Sequence, residues 1–229
     1  MSGSKPKAVV SWSGGKDCCL ALMRVRHEFD VRAMITMFDE KLERSRSHGL
    51  QMSLVEAQAE RLGLDLIVEG CDWPTYSDAF GRALARASAL GCTHVIHGDI
   101  FEDSHRAWTE RAAAGAGMEA VQPLWGESTA ALVREFIDRG GEARLVTVRE
   151  EHLDASWLGR PLSHAVVDEF TKIGIDPAGE RGEYHTVVTG CPLFHGPLAV
   201  AEGERVRHRG CWAMDLTPVP SIESRHASV

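Results

Sequence analysis

No apolar run in this 229-residue sequence approaches the roughly 20 residues that a membrane helix needs. The segment Met1–Lys7 is polar and Ala8–Trp12 is too short for a signal-peptide core, so a cytoplasmic location is expected. A surplus of base is also missing. The 25 Lys and Arg face 33 Asp and Glu, a formal charge of −8, which argues against nucleic acid as a partner because phosphate neutralisation needs a cationic surface. The six cysteines, Cys18, Cys19, Cys71, Cys92, Cys191 and Cys211, contain no CxxC, and no histidine lies at finger spacing from a pair. A structural zinc site is therefore not expected, and the thiols read as reduced and mostly buried. Lysine is scarce, confined to positions 5, 7, 16, 41 and 172. The excess of Arg and Ala points to coding bias, and it makes Lys16 conspicuous. There is no internal repeat and no low-complexity tract.

What is present is an ordinary globular composition, 44% hydrophobic and 25% charged, long enough to bury a substantial core. Through the first two-thirds, short apolar runs alternate with helical periodicity. Ala8–Trp12, Val31–Phe38, Leu64–Val68, Thr93–His97 and Met118–Gln122 read as strands. Between them, Cys18, Leu22, Val25 and Phe29 share a helix face, as do Leu50, Leu54, Gln58 and Leu62, with Gly63 as a stop. Thr75–Asp78 has the form of a capping box, and further helices are expected over Ser104–Ala114 and Thr129–Arg139. This alternation implies βαβ units and a doubly wound, parallel five-stranded α/β sheet, with ligands at the carboxyl ends of the strands. After about residue 140 the pattern loosens into a smaller α+β subdomain. Ala143–Val148, Thr186–Thr189, Leu198–Ala201 and Arg205–Leu216 read as strands, Leu162–Ile173 as a helix and Gly203 as a hairpin turn. The polar tail Pro218–Val229 is expected to fray.

The strongest chemical signal is Ser13-Gly14-Gly15-Lys16-Asp17, between the first strand and the first helix. Paired glycines let backbone N–H groups approach phosphate, and the helix start adds N–H groups and a positive dipole end. Lys16 supplies charge and Ser13 a hydroxyl, while Asp17 suits a Mg²⁺ ion. The same five residues also fit a plain strand-to-helix turn. The spacing matches neither GxxxxGK[ST] nor GxGxxG, which argues against Walker-type and dinucleotide sites. Asp99, just past the fourth strand, fits ribose, metal or ammonium binding, or a helix cap. Glu180, Glu183, Tyr184, His185 and Thr186 gather polar groups before an apolar strand, and two carboxylates three residues apart suit capture and deprotonation of ammonium. His48 is a weaker candidate for substrate contact, and Arg106 for phosphate. His94 and His97 point to opposite faces of one strand, so they and His105 read as structural. Trp157 and Arg160 read as holding segments together.

The SGGKD segment resembles the PP-loop of ATP pyrophosphatases, with Cys18 standing where that pattern has Ser or Thr. Further segments narrow the resemblance. They are Thr36-Met37 with Ser47-His48-Gly49, Gly98-Asp99-Ile100 with Arg106, Pro123-Leu124-Trp125-Gly126, Leu153-Asp154-Ala155-Ser156-Trp157-Leu158-Gly159-Arg160, and Gly179-Glu180-Arg181-Gly182-Glu183-Tyr184-His185-Thr186. In this order they resemble the diphthine–ammonia ligase family and its bacterial relatives, within the adenine nucleotide alpha hydrolase-like superfamily. Arg181 replaces a glycine of that family's last motif.

The resemblance implies a PP-loop ATP-binding domain over residues 1–140 and a C-terminal substrate-binding subdomain over 141–229. It implies an enzyme that activates a carboxylate with ATP and Mg²⁺, releases pyrophosphate, and transfers the acyl group to ammonia with release of AMP. The nucleotide site would comprise Ser13, Gly14, Gly15, Lys16, Asp17, Cys18, Gly98 and Arg106, with Asp17 on the metal. Lys16, Asp17, Asp99, Glu180 and Glu183 would be catalytic, and His48, Tyr184, His185 and Thr186 would meet substrate. The substrate would be diphthine on the elongation factor where the host makes it, otherwise a small metabolite. Two other readings of the loop are a PP-loop tRNA-modifying enzyme, disfavoured by the acidic balance, and a non-catalytic adenine-nucleotide sensor.

Overall fold

Ala8, Val9 and Val10 are fully buried in succession, as in a strand covered on both faces. They form β1 (Lys7–Ser11) at the middle of the first sheet in a computed structural model that describes residues 4–219. The chain continues through α1 (Lys16–Val25), β2 (Asp30–Asp39), β3 (Arg44–Ser45), α2 (Met52–Leu62), β4 (Asp65–Gly70), α3 (Tyr76–Ala89), β5 (His94–Ile96), α4 (Asp103–Gly115) and β6 (Glu119–Val121). Five parallel strands lie in the order β4-β2-β1-β5-β6. The expected five-stranded parallel sheet is therefore present, with one addition. The two-residue β3 pairs antiparallel with the end of β2, through Phe38 and Asp39.

The pleat of β1 divides the core. Ala8 and Val10 join a cluster with Leu20 and Leu22 of α1, whereas Val9 packs with Phe80, Ala83 and Leu84 of α3. Strand order reverses between β1 and β5, where a doubly wound sheet opens a crevice at its carboxyl edge. The box expected at Thr75–Asp78 does not form. Thr75 begins α3 without a side-chain cap, and its hydroxyl bonds Asp72 at 2.6 Å instead, closing the preceding turn.

The second sheet is antiparallel, in the order β8-β7-β10-β9. It comprises β7 (Glu142–Arg149), β8 (Tyr184–Gly190), β9 (Val200–His208) and β10 (Cys211–Pro218), joined to the first by α5 (Thr129–Asp138) and carrying α6 (His164–Ile173). Gly203 lies inside β9 rather than in a turn. The hairpin closes at Arg209 and Gly210, whose φ of 49° and 78° suit a two-residue turn of the primed type, so the expected strand over 205–216 is two strands. Pro218 pairs with Val200, and the remainder of the tail beyond Val219 lies outside the described residues. Arg24 forms ion pairs with Glu127 and Glu135, tying α1 to α5. Arg160 stacks on Trp157 with its guanidinium 3.9 Å from the ring centroid, consistent with the packing role read for both. Among the described residues no helix is long and apolar enough to cross a membrane.

Candidate functional site

Helix α1 starts without a side-chain cap. The first N–H groups of a helix have no intrahelical partner, and here Lys16 N–H donates to Thr186 Oγ1 of β8 at 3.2 Å. The N–H groups of Asp17 and Cys18 have no acceptor among the described residues. They lie where the loop Ser13–Asp17 meets a cavity of about 520 Å³. Two glycines make the geometry possible. A Cβ on Gly15 would stand 2.2 Å from His48 Cε1, and one on Gly98 would stand 2.7 Å from the backbone of Asp17 and Cys18. The β5 end and the phosphate loop thus approach at backbone distance.

Lys16 is buried. Its ammonium bonds Asp17 Oδ2 at 2.9 Å and the Ala178 carbonyl, and lies 5.0 Å from the Tyr184 ring centroid. Burial alone would lower its pKa, but Asp17, Tyr184 and Glu180 hold it above the ordinary lysine value. Lys16 therefore stays charged. Asp17 uses only Oδ2 on Lys16, so its other carboxylate oxygen is available to a cation, and a hard oxygen donor beside unpartnered amides fits Mg²⁺ shared with phosphate. Cys18 directs its thiol to the Gly15 carbonyl at 3.1 Å, and burial raises its pKa. It braces the loop and also lines the cavity.

Across the cavity, Glu180 is pushed up to about 7 by burial and then by the Asp17 charge. A carboxyl so placed exchanges its proton near neutrality. His48 Nδ1–H donates to the Thr186 carbonyl at 2.8 Å, and its ring stacks on His185 with centroids 4.6 Å apart. Burial, with the nearby Lys16 charge acting in the same direction, lowers His48 to about 4. Burial, His48 and Lys16 lower His185 to about 3. Both imidazoles are neutral walls. Tyr184 donates its hydroxyl to the Pro177 carbonyl, and burial raises its pKa.

The cavity brings together Ser13, Lys16, Asp17, Cys18, His48, Gly98, Asp99, Glu180, Tyr184, His185 and Thr186. Four expected site residues, Gly14, Gly15, Arg106 and Glu183, are not among the lining. Glu183 is buried, with its carboxylate turned into its own turn to accept from Asp176 N–H at 3.4 Å and Arg181 N–H at 3.0 Å. With both oxygens engaged it shapes the turn that presents Glu180. Arg106 pairs with Glu110 at 2.8 Å and lies over the Trp125 ring. It is not part of the cavity wall, although its helix contributes His105, Trp108 and Thr109 to that wall. Gly14 also turns away, its carbonyl meeting Gln58 and Val188.

Other wall residues escaped sequence reasoning. His97 lines the cavity, lowered by burial to about 4, with Nε2 buried and unpartnered. His97 and His105 each place Nδ1 3.9 Å from an Asp99 oxygen and both line the cavity, but no group of three or more potential ligands among the described residues is arranged to hold a metal ion. Trp73, Tyr76 and Trp108 form an aromatic end, with Tyr76 centroids 5.7 Å and 5.6 Å from the two indoles. Rings spread over two helices and a loop leave no local sequence signal.

Residues 6–120 match the family model described as Diphthamide synthase N-terminal domain, and residues 128–217 match the Diphthamide synthase C-terminal domain. Curated relatives named diphthine–ammonia ligase include those of Rattus norvegicus, 25% identical over 86% of this chain and 83% of the relative, and Danio rerio, 26% identical over 86% and 87%. The relative from Schizosaccharomyces pombe is 26% identical over 86% of this chain but only 36% of its own length. A solved structure described as a predicted subunit of tRNA methyltransferase from Methanocaldococcus jannaschii covers 81% of this chain and 97% of that one, at a TM-score of 0.40 and 15% identity. With both family models matched in order across nearly all of its length, the chain belongs to the diphthamide synthase family.

Proposed function

We propose that this chain is an ATP-dependent, amide-forming ligase that works through an acyl-adenylate. A substrate carboxylate oxygen attacks the α-phosphorus of ATP, the bond to the β-phosphate bridging oxygen breaks, and pyrophosphate leaves. Ammonia then attacks the acyl carbon, AMP departs with the bonding oxygen, and the proton from nitrogen passes to a base. The observation that carries this reading is that unpartnered N–H groups, the charged Lys16 and Glu180 meet in one cavity. Donors aimed at the leaving pyrophosphate stabilise the charge that develops there. Mg²⁺ bound between Asp17 and the phosphates would neutralise part of that charge.

Glu180 is the base in this scheme, since it exchanges its proton near neutral pH and ammonia attacks only when deprotonated. Asp99 orients either the ribose or the incoming ammonium. His48, Tyr184, His185 and Thr186 shape the wall that excludes water. Residues 1–140 supply the ATP-binding part and residues 141–229 the substrate side, which nevertheless contributes Glu180 to the shared cavity. The names of the curated relatives point to diphthine as the substrate where the host makes it; in a host without it the reading takes a small carboxylate metabolite, in either case in the cytoplasm.

Incubation with [α-³²P]ATP, Mg²⁺, ammonium and a panel of carboxylates should release AMP only with the correct acid. The Asp17→Ala variant should lose about 10²-fold or more in rate, the scale of one missing group at a developing charge. AMP formation that requires tRNA, or tight ATP binding with no AMP under any condition, overturns the reading.

A further inference from the structure

Helix α2 turns an apolar face inward, with Leu54, Val55, Ala59 and Leu62 buried, yet the same face carries Gln58 at 0% exposure. A buried amide is costly unless its hydrogen-bonding groups are satisfied. Gln58 Oε1 accepts from Trp12 Nε1 at 2.8 Å, and Nε2 donates to the Gly14 carbonyl at 3.1 Å and the Val188 carbonyl at 2.8 Å. The orientation of this amide is unambiguous, because an indole N–H only donates and carbonyls only accept. The Gly14 carbonyl also accepts from Val188 N–H at 2.9 Å. Two donors therefore hold it on the side of α2 and β8.

A peptide plane points its C=O and N–H in opposite directions. With the Gly14 carbonyl pinned outward, the Gly15 N–H turns the other way, to Ser13 Oγ at the cavity wall. Between two glycines the peptide has little steric resistance to flipping. A flipped plane would turn a carbonyl oxygen, in place of an N–H, toward Ser13 Oγ and the side of the loop that meets the cavity.

We infer that Gln58 is a positioning residue that holds the Gly14–Gly15 peptide in its phosphate-accepting orientation, reading the position of β8 through Val188 as it does so. The inference rests on the proposed use of this loop for ATP and deepens it. The relevant readout is discrimination between nucleotides, because a loop that meets the β- and γ-phosphates affects ATP and leaves AMP nearly indifferent.

Affinities for ATP·Mg²⁺ and for AMP should be measured by titration calorimetry on the full chain and on Gln58→Met and Trp12→Phe. Gln58→Met keeps the side-chain volume and removes both donors and the acceptor. It should weaken ATP by roughly 10-fold and AMP by less than about twofold, in keeping with lost hydrogen bonds at a charged ligand. Trp12→Phe frees Gln58 Oε1 and should shift ATP in the same direction by a smaller factor, which preserves the test should Gln58→Met fail to fold. Parallel weakening of both nucleotides, or ATP affinity unchanged in a folded variant, overturns the inference while leaving the ligase reading intact. Wild-type protein that binds neither nucleotide overturns both.

Discussion

Glu180 and Glu183 lie three residues apart and look alike in the sequence, yet they do different work. Glu180 stands in the cavity near Asp17. Glu183 is spent on backbone N–H groups of its own turn, and nothing local to the motif separates the two roles, because the difference lies in which side of the turn each faces. The rise of Glu180 from 4.5 to about 7 gives a signed expectation. At fixed free ammonia, amide formation should increase with pH through about 7 as the base deprotonates. Glu180→Gln should flatten that limb and lower the rate by about 10²-fold or more, the usual contribution of a general base. Stability should move the opposite way. Between 4.5 and about 7 the folded chain holds a proton that the unfolded chain has released, so this group disfavours the fold as pH rises. Urea melts of wild type and Glu180→Gln at pH 5 and pH 8 should therefore show the variant gaining relative stability at the higher pH.

At the scale of elements, strongly periodic segments were legible and turns were not. The amphipathic stripes of α1, α2 and α5 and the apolar runs of β1 and β2 follow from burial on one or two faces, which sequence pattern records directly. The β9–β10 hairpin was misplaced because Gly203 advertises a turn, while the actual turn uses Arg209 at positive φ, a conformation that residue type does not announce. The Asp176–Glu183 turn is built from side-chain-to-backbone bonds. Asp176 Oδ1 accepts from Ala178 N–H at 2.8 Å, and the Glu183 carboxylate accepts from Asp176 and Arg181. Glu183→Ala should remove the buried carboxylate that both part-buried N–H groups donate to and cost about 1–3 kcal/mol, measurable by urea denaturation. ATP affinity should fall with it, because the Ala178 carbonyl that receives Lys16 belongs to the same turn.

The whole molecule shares one main core. Leu20 and Leu22 of α1 belong to the same buried cluster as Phe136 of α5, Leu145 of β7, Val167 of α6 and Val188 of β8. Although the family is described by an N-terminal and a C-terminal model, unfolding is therefore expected to be a single cooperative transition. Far-ultraviolet circular dichroism and tryptophan fluorescence, which reports Trp12 in one sheet's region and Trp212 in the other's, should give coincident urea curves. Separate midpoints would show that the halves melt independently. The parallel sheet and its carboxyl-edge site could be read from the alternation of strands and helices. The docking of β8 on the loop could not, because Thr186 and Lys16 are 170 positions apart and each looks locally complete.

The burial of Lys16 turns a compositional oddity into a chemical reporter. Lys5, Lys7, Lys41 and Lys172 are exposed, whereas Lys16 is 3% exposed and locked to Asp17 and Ala178. Brief treatment with an amine-acylating reagent, read by peptide mass spectrometry, should mark the four surface amines and spare the fifth. Lys16 would then acquire the label at the rate at which the loop detaches from the Asp176–Glu183 turn. The arginine-rich composition leaves so few competing amines that this opening can be timed without introducing any probe.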